Sequence, residues 1–201
     1  MSNDINKILR NVIIGGLFIV PFLPFVISST MFFPFITGKN FTFRVVIQIL
    51  FALWLVLVFF DRKYIPKRDK VFNSILAFIG IIAVADIFGV NFYRSFWSNY
   101  ERMEGLVSLL HLLAYFILLV SVFNERIWKY YFNTILVVGG AGLFSYASLQ
   151  LLGKLTINQG GGRVDATFGN TAYFAIHLLY MAFISSFYLF RVQLGNNWKT
   201  W

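Results

Sequence analysis

Asp86, His111 and His177 are ionisable side chains set inside long apolar stretches, where such groups are expensive and each counts as a candidate site. With Gln48 and Gln150 they could line a polar cavity, relay a proton or hydrogen-bond to neighbouring helices. A carboxylate at that depth needs a cation, and Arg94 and Arg102 in the following loop are the nearest in sequence to Asp86. The loop 91–105 suggests a second chemistry, because Arg94 and Arg102 stand among Phe92, Tyr93, Phe96, Trp97 and Tyr100. Guanidinium groups bind phosphate bidentately. Flat aromatic faces suit the apolar faces of sugar rings. The plain alternative is an interfacial aromatic belt with ordinary loop charges, and the loop residues alone leave both readings open. The two histidines lack metal-ligand spacing, and with no cysteine there is no thiolate ligand, so no metal site or cofactor is expected.

These side chains have to be positioned by membrane helices. The chain has 201 residues, 59% hydrophobic and 12% charged, whereas soluble domains carry about 25% charged residues. Six apolar stretches, 11–28, 43–60, 71–90, 106–123, 134–152 and 171–190, each approach the roughly 20 residues that a bilayer-spanning helix needs. The connections between them are too short for a soluble domain. The expectation is an all-α polytopic membrane protein, 1–201, with a bundle of about six transmembrane helices in a single domain. Pro21 and Pro24 should kink the first helix, and Gly139, Gly140 and Gly142 should either loosen the fifth or let neighbouring helices pack closely on it.

The net charge of +9 does not form one basic face, so nucleic acid is excluded as a partner and membrane lipid is expected instead. Eleven of the 17 Lys and Arg residues fall at the N-terminus, in the loops 61–70 and 124–131, and in the tail. Positive residues favour the cytoplasm, which predicts both termini inside and the loops 91–105 and 154–170 outside. In that orientation Asp86, His111 and His177 lie about 6–9 Å below the outer surface, at 1.5 Å per residue. Gln48 falls in the same layer, with Gln150 slightly shallower.

Several short motifs then resemble a known family. Tyr100-Glu-Arg-Met-Glu-Gly-Leu106 resembles the aromatic–Arg–x–x–Gly–Leu stretch of the bacterial O-antigen ligase and O-antigen polymerase family. Arg163-Val-Asp-Ala-Thr-Phe-Gly-Asn170, followed by Tyr173-Phe-Ala175, is similar to that family's Arg…Thr-Phe-Gly-Asn-Pro-Asn-x-x-Ala signature. Thr171 and Ala172 stand where Pro-Asn is usual. Phe32-Phe-Pro-Phe-Ile-Thr-Gly-Lys-Asn40 also looks like the family's first outer loop. The resemblance implies a membrane glycosyltransferase (GT-C-like) fold in the bacterial cytoplasmic membrane. It would transfer a glycan from an undecaprenyl-pyrophosphate carrier to a glycan or lipid acceptor, without metal or nucleotide sugar. Arg102 and Arg163 match the motif arginines and inherit a donor-phosphate role. The family's catalytic histidine lies in an outer loop of the second half of a longer protein. The chain therefore corresponds to the N-terminal half of such an enzyme, and a second-half polypeptide is expected to supply catalysis.

Two other classes stay open. Asp86, Arg94, His111 and His177 are the cavity candidates, and a small transporter would use the Asp86/His111/His177 layer as a proton or substrate site. A non-catalytic assembly subunit would use neither the arginines nor the layer. A ligase depends on Arg102 and Arg163, a transporter on Asp86 and the histidines.

Overall fold

In the computed structural model, which describes residues 3–99, 102–158 and 162–193, the described chain is all helix with no strand. Tyr100 and Glu101 of the first motif lie outside these residues, as do Gly160, Gly161 and Lys199. The α-helices are α1 (Asn3–Leu17), α2 (Thr37–Phe60), α3 (Lys70–Ile87), α4 (Phe92–Trp97), α5 (Leu106–Val122), α6 (Glu125–Thr134), α7 (Leu143–Leu151) and α8 (Thr171–Gln193). Five segments are long and apolar enough to cross a membrane: Asp4–Phe25, Thr37–Phe60, Lys70–Ile87, Glu125–Leu151 and Thr171–Phe190. The apolar α5, at 17 residues, reaches the lower end of the transmembrane range of about 17–25. Large hydrophobic side chains such as Phe59, Ile81, Phe144 and Leu189 are exposed on these helices. That pattern is unfavourable in water and satisfied by lipid. The chain is a multi-pass helical membrane protein.

The helices cluster into two compact units, 1–23 with 27–125 and 24–26 with 126–201. In the first, α1 packs on α2, and α5 packs on α1, α2, α3 and α4. The α-helix of the first span stops at Leu17 and continues as a 3-10 turn over Val20–Phe25. Pro21 and Pro24 have no N–H to give to the preceding turn, so the tighter turn replaces the α ladder there. Helix α2 buries Arg44, Ile47, Leu50, Trp54 and Leu57, spaced by three or four residues along one face. Gly16 of α1 lets Leu50 approach so closely that a Cβ there would sit 2.4 Å from its Cδ2. The turn after α2 is folded rather than loose. Trp54 Nε1 donates to the Tyr64 carbonyl at 3.2 Å, and Tyr64 is buried. The Lys63 ammonium hydrogen-bonds the Asp61 carboxylate at 2.6 Å, holding that carboxyl below its ordinary range while its own pKa is raised.

In the second unit, α6 passes into a π-helical segment, Ile135–Gly142, and then α7. Gly139, Gly140 and Gly142 supply the small residues that a wide, poorly packed π turn tolerates. A core of Leu143, Ala147, Ala166 and Phe174 ties α7 to the loop 154–170 and α8. Asn170 caps α8 through its Oδ1, which accepts from the Ala172 N–H at 2.8 Å.

Candidate functional site

Two loops carry the motif residues, one in each unit. In the first unit the loop between α4 and α5 is held by a buried cation. Arg44, only 7% exposed, donates through Nη2 to the carbonyls of Arg102 (3.4 Å) and Met103 and to Ser108 Oγ at 2.8 Å. Ser108 Oγ in turn donates to the Met103 carbonyl at 2.9 Å. A guanidinium is tolerated there because its Nη2 amino group is met by these acceptors. The loop backbone is also strained. Ser98 (φ 61°) and Met103 (φ 50°) both adopt the left-handed region, a conformation that non-glycine residues hold only when the surroundings impose it. Gly105 is required, because a Cβ there would lie 2.4 Å from the Ser95 carbonyl oxygen and 2.5 Å from that of Phe96.

The Arg102 guanidinium carbon sits 4.8 Å from the centre of the Phe33 ring, at cation–π distance. Two separate sequence motifs, 32–40 and 100–106, thus meet at Arg102. Asn40 Nδ2 also donates to Glu104 Oε1 at 3.5 Å. Arg94 is exposed on α4 and borders a cleft of about 470 Å³ with Tyr93, Trp97, Ser98 and Asn99.

In the second unit the loop 154–170 is organised around a fully buried carboxylate. Asp165 accepts through Oδ1 from Gln150 Nε2 at 2.7 Å and through Oδ2 from the Asn158 N–H at 3.0 Å. Gln150 Oε1 accepts from the Ala166 N–H at 2.8 Å, and Nε2 donates to the Thr156 carbonyl at 2.8 Å. Ala166 (φ 46°) is held left-handed by this network. Thr167 Oγ1 donates to the Pro24 carbonyl at 2.7 Å. Arg163 is exposed on the loop.

The intramembrane polar residues divide. His111 Nδ1 donates to the Val107 carbonyl of its own helix at 2.6 Å, leaving Nε2 to accept from Gln48 Nε2 at 2.9 Å. This pair borders a groove of about 210 Å³ lined by Ile47, Phe51, Leu110 and Ala114. His177 Nε2 donates to the Gly139 carbonyl at 2.9 Å, and its ring packs on Phe168 with centroids 5.2 Å apart. Gln150 serves the loop network and not the layer with His111. Asp86 is half-buried near the end of α3, and among the described residues the ion pairs are Lys7–Asp4 and Lys63–Asp61, so neither Arg94 nor Arg102 neutralises it. No group of His, Asp and Glu among the described residues could hold a metal ion.

Arg44 is the residue that sequence reasoning passes over. It stands at the edge of an apolar span, where cations are ordinary. Its one signal is the three- and four-residue spacing that puts it on the face of Ile47, Leu50, Trp54 and Leu57. That signal is hidden because α2 is apolar all round. No protein-family model, curated protein or solved structure matches this chain.

Proposed function

We propose that the chain is part of an O-antigen ligase- or polymerase-like membrane glycosyltransferase, acting on a glycan carried by undecaprenyl pyrophosphate. The carrying observation is the Arg102 loop, its backbone held by buried Arg44 and its guanidinium set against Phe33. A cation held in position before its ligand arrives stabilises charge on a departing pyrophosphate without reorganising, which is catalysis by electrostatics. The motif resemblance gives Arg102, and separately Arg163, a role in binding donor phosphate. Both loops face the outside of the cytoplasmic membrane, with both termini inside, following the excess of positive residues in the loops 61–70 and 124–131. The acceptor is a glycan or lipid.

The transporter alternative rests on Asp86, His111 and His177. Both histidines are already engaged by helix neighbours, which supports packing roles for them.

The test is lipid binding by the chain reconstituted in nanodiscs, read by native mass spectrometry with undecaprenyl pyrophosphate and with undecaprenol. The diphosphate lipid should bind in preference. Arg102→Ala and Arg163→Ala should each weaken it roughly tenfold or more, as loss of charged hydrogen bonds of about 1.5–3 kcal/mol implies. Equal retention of both lipids, or indifference to both substitutions, would overturn the reading.

A further inference from the structure

The cleft on α4 has a chemistry that donor-phosphate binding does not use. Tyr93 and Trp97 are four residues apart on α4, so their rings share one face of the helix. Trp97 is set edge-on against Phe96 at 4.9 Å, and Phe96 packs on Phe92 at 5.8 Å, so a row of rings props the indole in place. The left-handed Ser98 turns the chain sharply after Trp97 and brings Asn99 to the rim. Asn91 closes the other end. Its Oδ1 is occupied by the Arg94 N–H at 3.0 Å, which leaves the amide Nδ2 as a donor. Among the described residues Arg94 has no ion pair, and no carboxylate borders the cleft.

The volume of about 470 Å³ lies within the roughly 300–1,000 Å³ of small-molecule sites. Among the described residues its lining combines aromatic faces, side-chain amides, the Ser98 hydroxyl, the Met103 thioether and a guanidinium with no ion pair. An acyl chain would leave the amides and the guanidinium unused. A bare phosphate headgroup would leave the rings unused. A sugar ring matches both halves, since it presents a C–H face to an aromatic plane and hydroxyls to amides at its edge. The fork of Arg94 then selects a planar anionic substituent.

We propose that the α4 cleft binds an acidic saccharide, with Trp97 and Tyr93 against the ring face, Asn91 and Asn99 at the hydroxyls, and Arg94 on a carboxylate. The inference deepens the glycan-transfer reading by naming the class of glycan, and it rests on that reading for its biological role.

The test uses the chain in nanodiscs free of undecaprenyl lipid, titrated calorimetrically with trigalacturonic acid and with neutral maltotriose. Trigalacturonic acid should bind roughly tenfold tighter, the value of one charge-assisted contact. Arg94→Gln should erase that difference. Trp97→Ala should weaken both sugars, and Trp97→Phe should keep binding while guarding against a folding defect. Binding unaffected by Trp97→Ala and Arg94→Gln, or equal binding of the two sugars, overturns the proposal. Undecaprenyl pyrophosphate binding in a parallel preparation separates the two readings. If the carrier binds and no sugar does, the cleft proposal falls and the donor reading stands. If trigalacturonic acid binds with the expected sensitivity and the carrier does not, the cleft is supported and the donor reading falls.

Discussion

Arg44 places a full charge on the buried face of a membrane helix, and three acceptors gathered at its Nη2 make that burial tolerable. Its work is done at the backbone carbonyls of Arg102 and Met103, so its loss should be felt in the loop more than in α2. Arg44→Ala is expected to lower the thermal stability of the purified chain by about 2 kcal/mol, the worth of a charged hydrogen-bond set whose partners can rehydrate. Protease cleavage in the loop 98–105 should rise in parallel. Arg44→Lys, which keeps the charge and loses the fork, should fall between the two. Unchanged melting and unchanged cleavage would remove Arg44 from its role as a clasp. The contrast with Gln150 shows how far single residues can be read from sequence. Depth along the helix groups Gln150 with Gln48 and His111, yet its amide serves Asp165 and Ala166 fifteen and sixteen positions onward. Hydropathy locates a polar residue along the membrane normal and says nothing about which loop folds back on it.

At the scale of elements, the close fit of α4 to the start of α5 depends on Gly105. Gly105→Ala would drive a methyl group into two carbonyl oxygens, and neither can yield without moving backbone. The expected cost is at least the roughly 1–3 kcal/mol of an overpacked core, measurable by thermal melting with a change in tryptophan near-ultraviolet dichroism. Gly80→Ala, with nothing within 4 Å of the added carbon, is the matched control. It should be neutral or stabilising by up to about 1 kcal/mol, as an added methyl in a helix interior is. Elements were the most legible level. The Pro21/Pro24 break follows from backbone chemistry carried by the residues themselves, and the π-helical segment around Gly139 agrees with one of the two readings open for its glycines. The short α4 was not legible. Its six residues are too few for a periodic signal and it is fixed by Asn91 and by packing on α5.

For the whole molecule the absence of cysteine gives direct access to membrane orientation, because any introduced thiol is unique. Asn99→Cys and Lys154→Cys are expected to react with a membrane-impermeant maleimide on intact cells. Lys67→Cys and Arg126→Cys should react only after permeabilisation. The reverse pattern would invert the orientation and with it the side on which the arginine loops work. The distribution of contacts along the chain also sets an order of assembly. Trp54 and the Tyr64 carbonyl are ten residues apart, so the lower latch of α2 closes almost as soon as it is made. Arg44 and the Met103 carbonyl are 59 residues apart, which at synthesis rates of about 5–20 residues per second is a wait of about 3–12 s. During that interval the Trp54 contact can already form, while the Arg44 guanidinium still lacks the acceptors it has in the folded chain. The final seating of Arg44 therefore follows the arrival of the loop before α5, and a chain halted before Met103 carries this cation without two of its three acceptors.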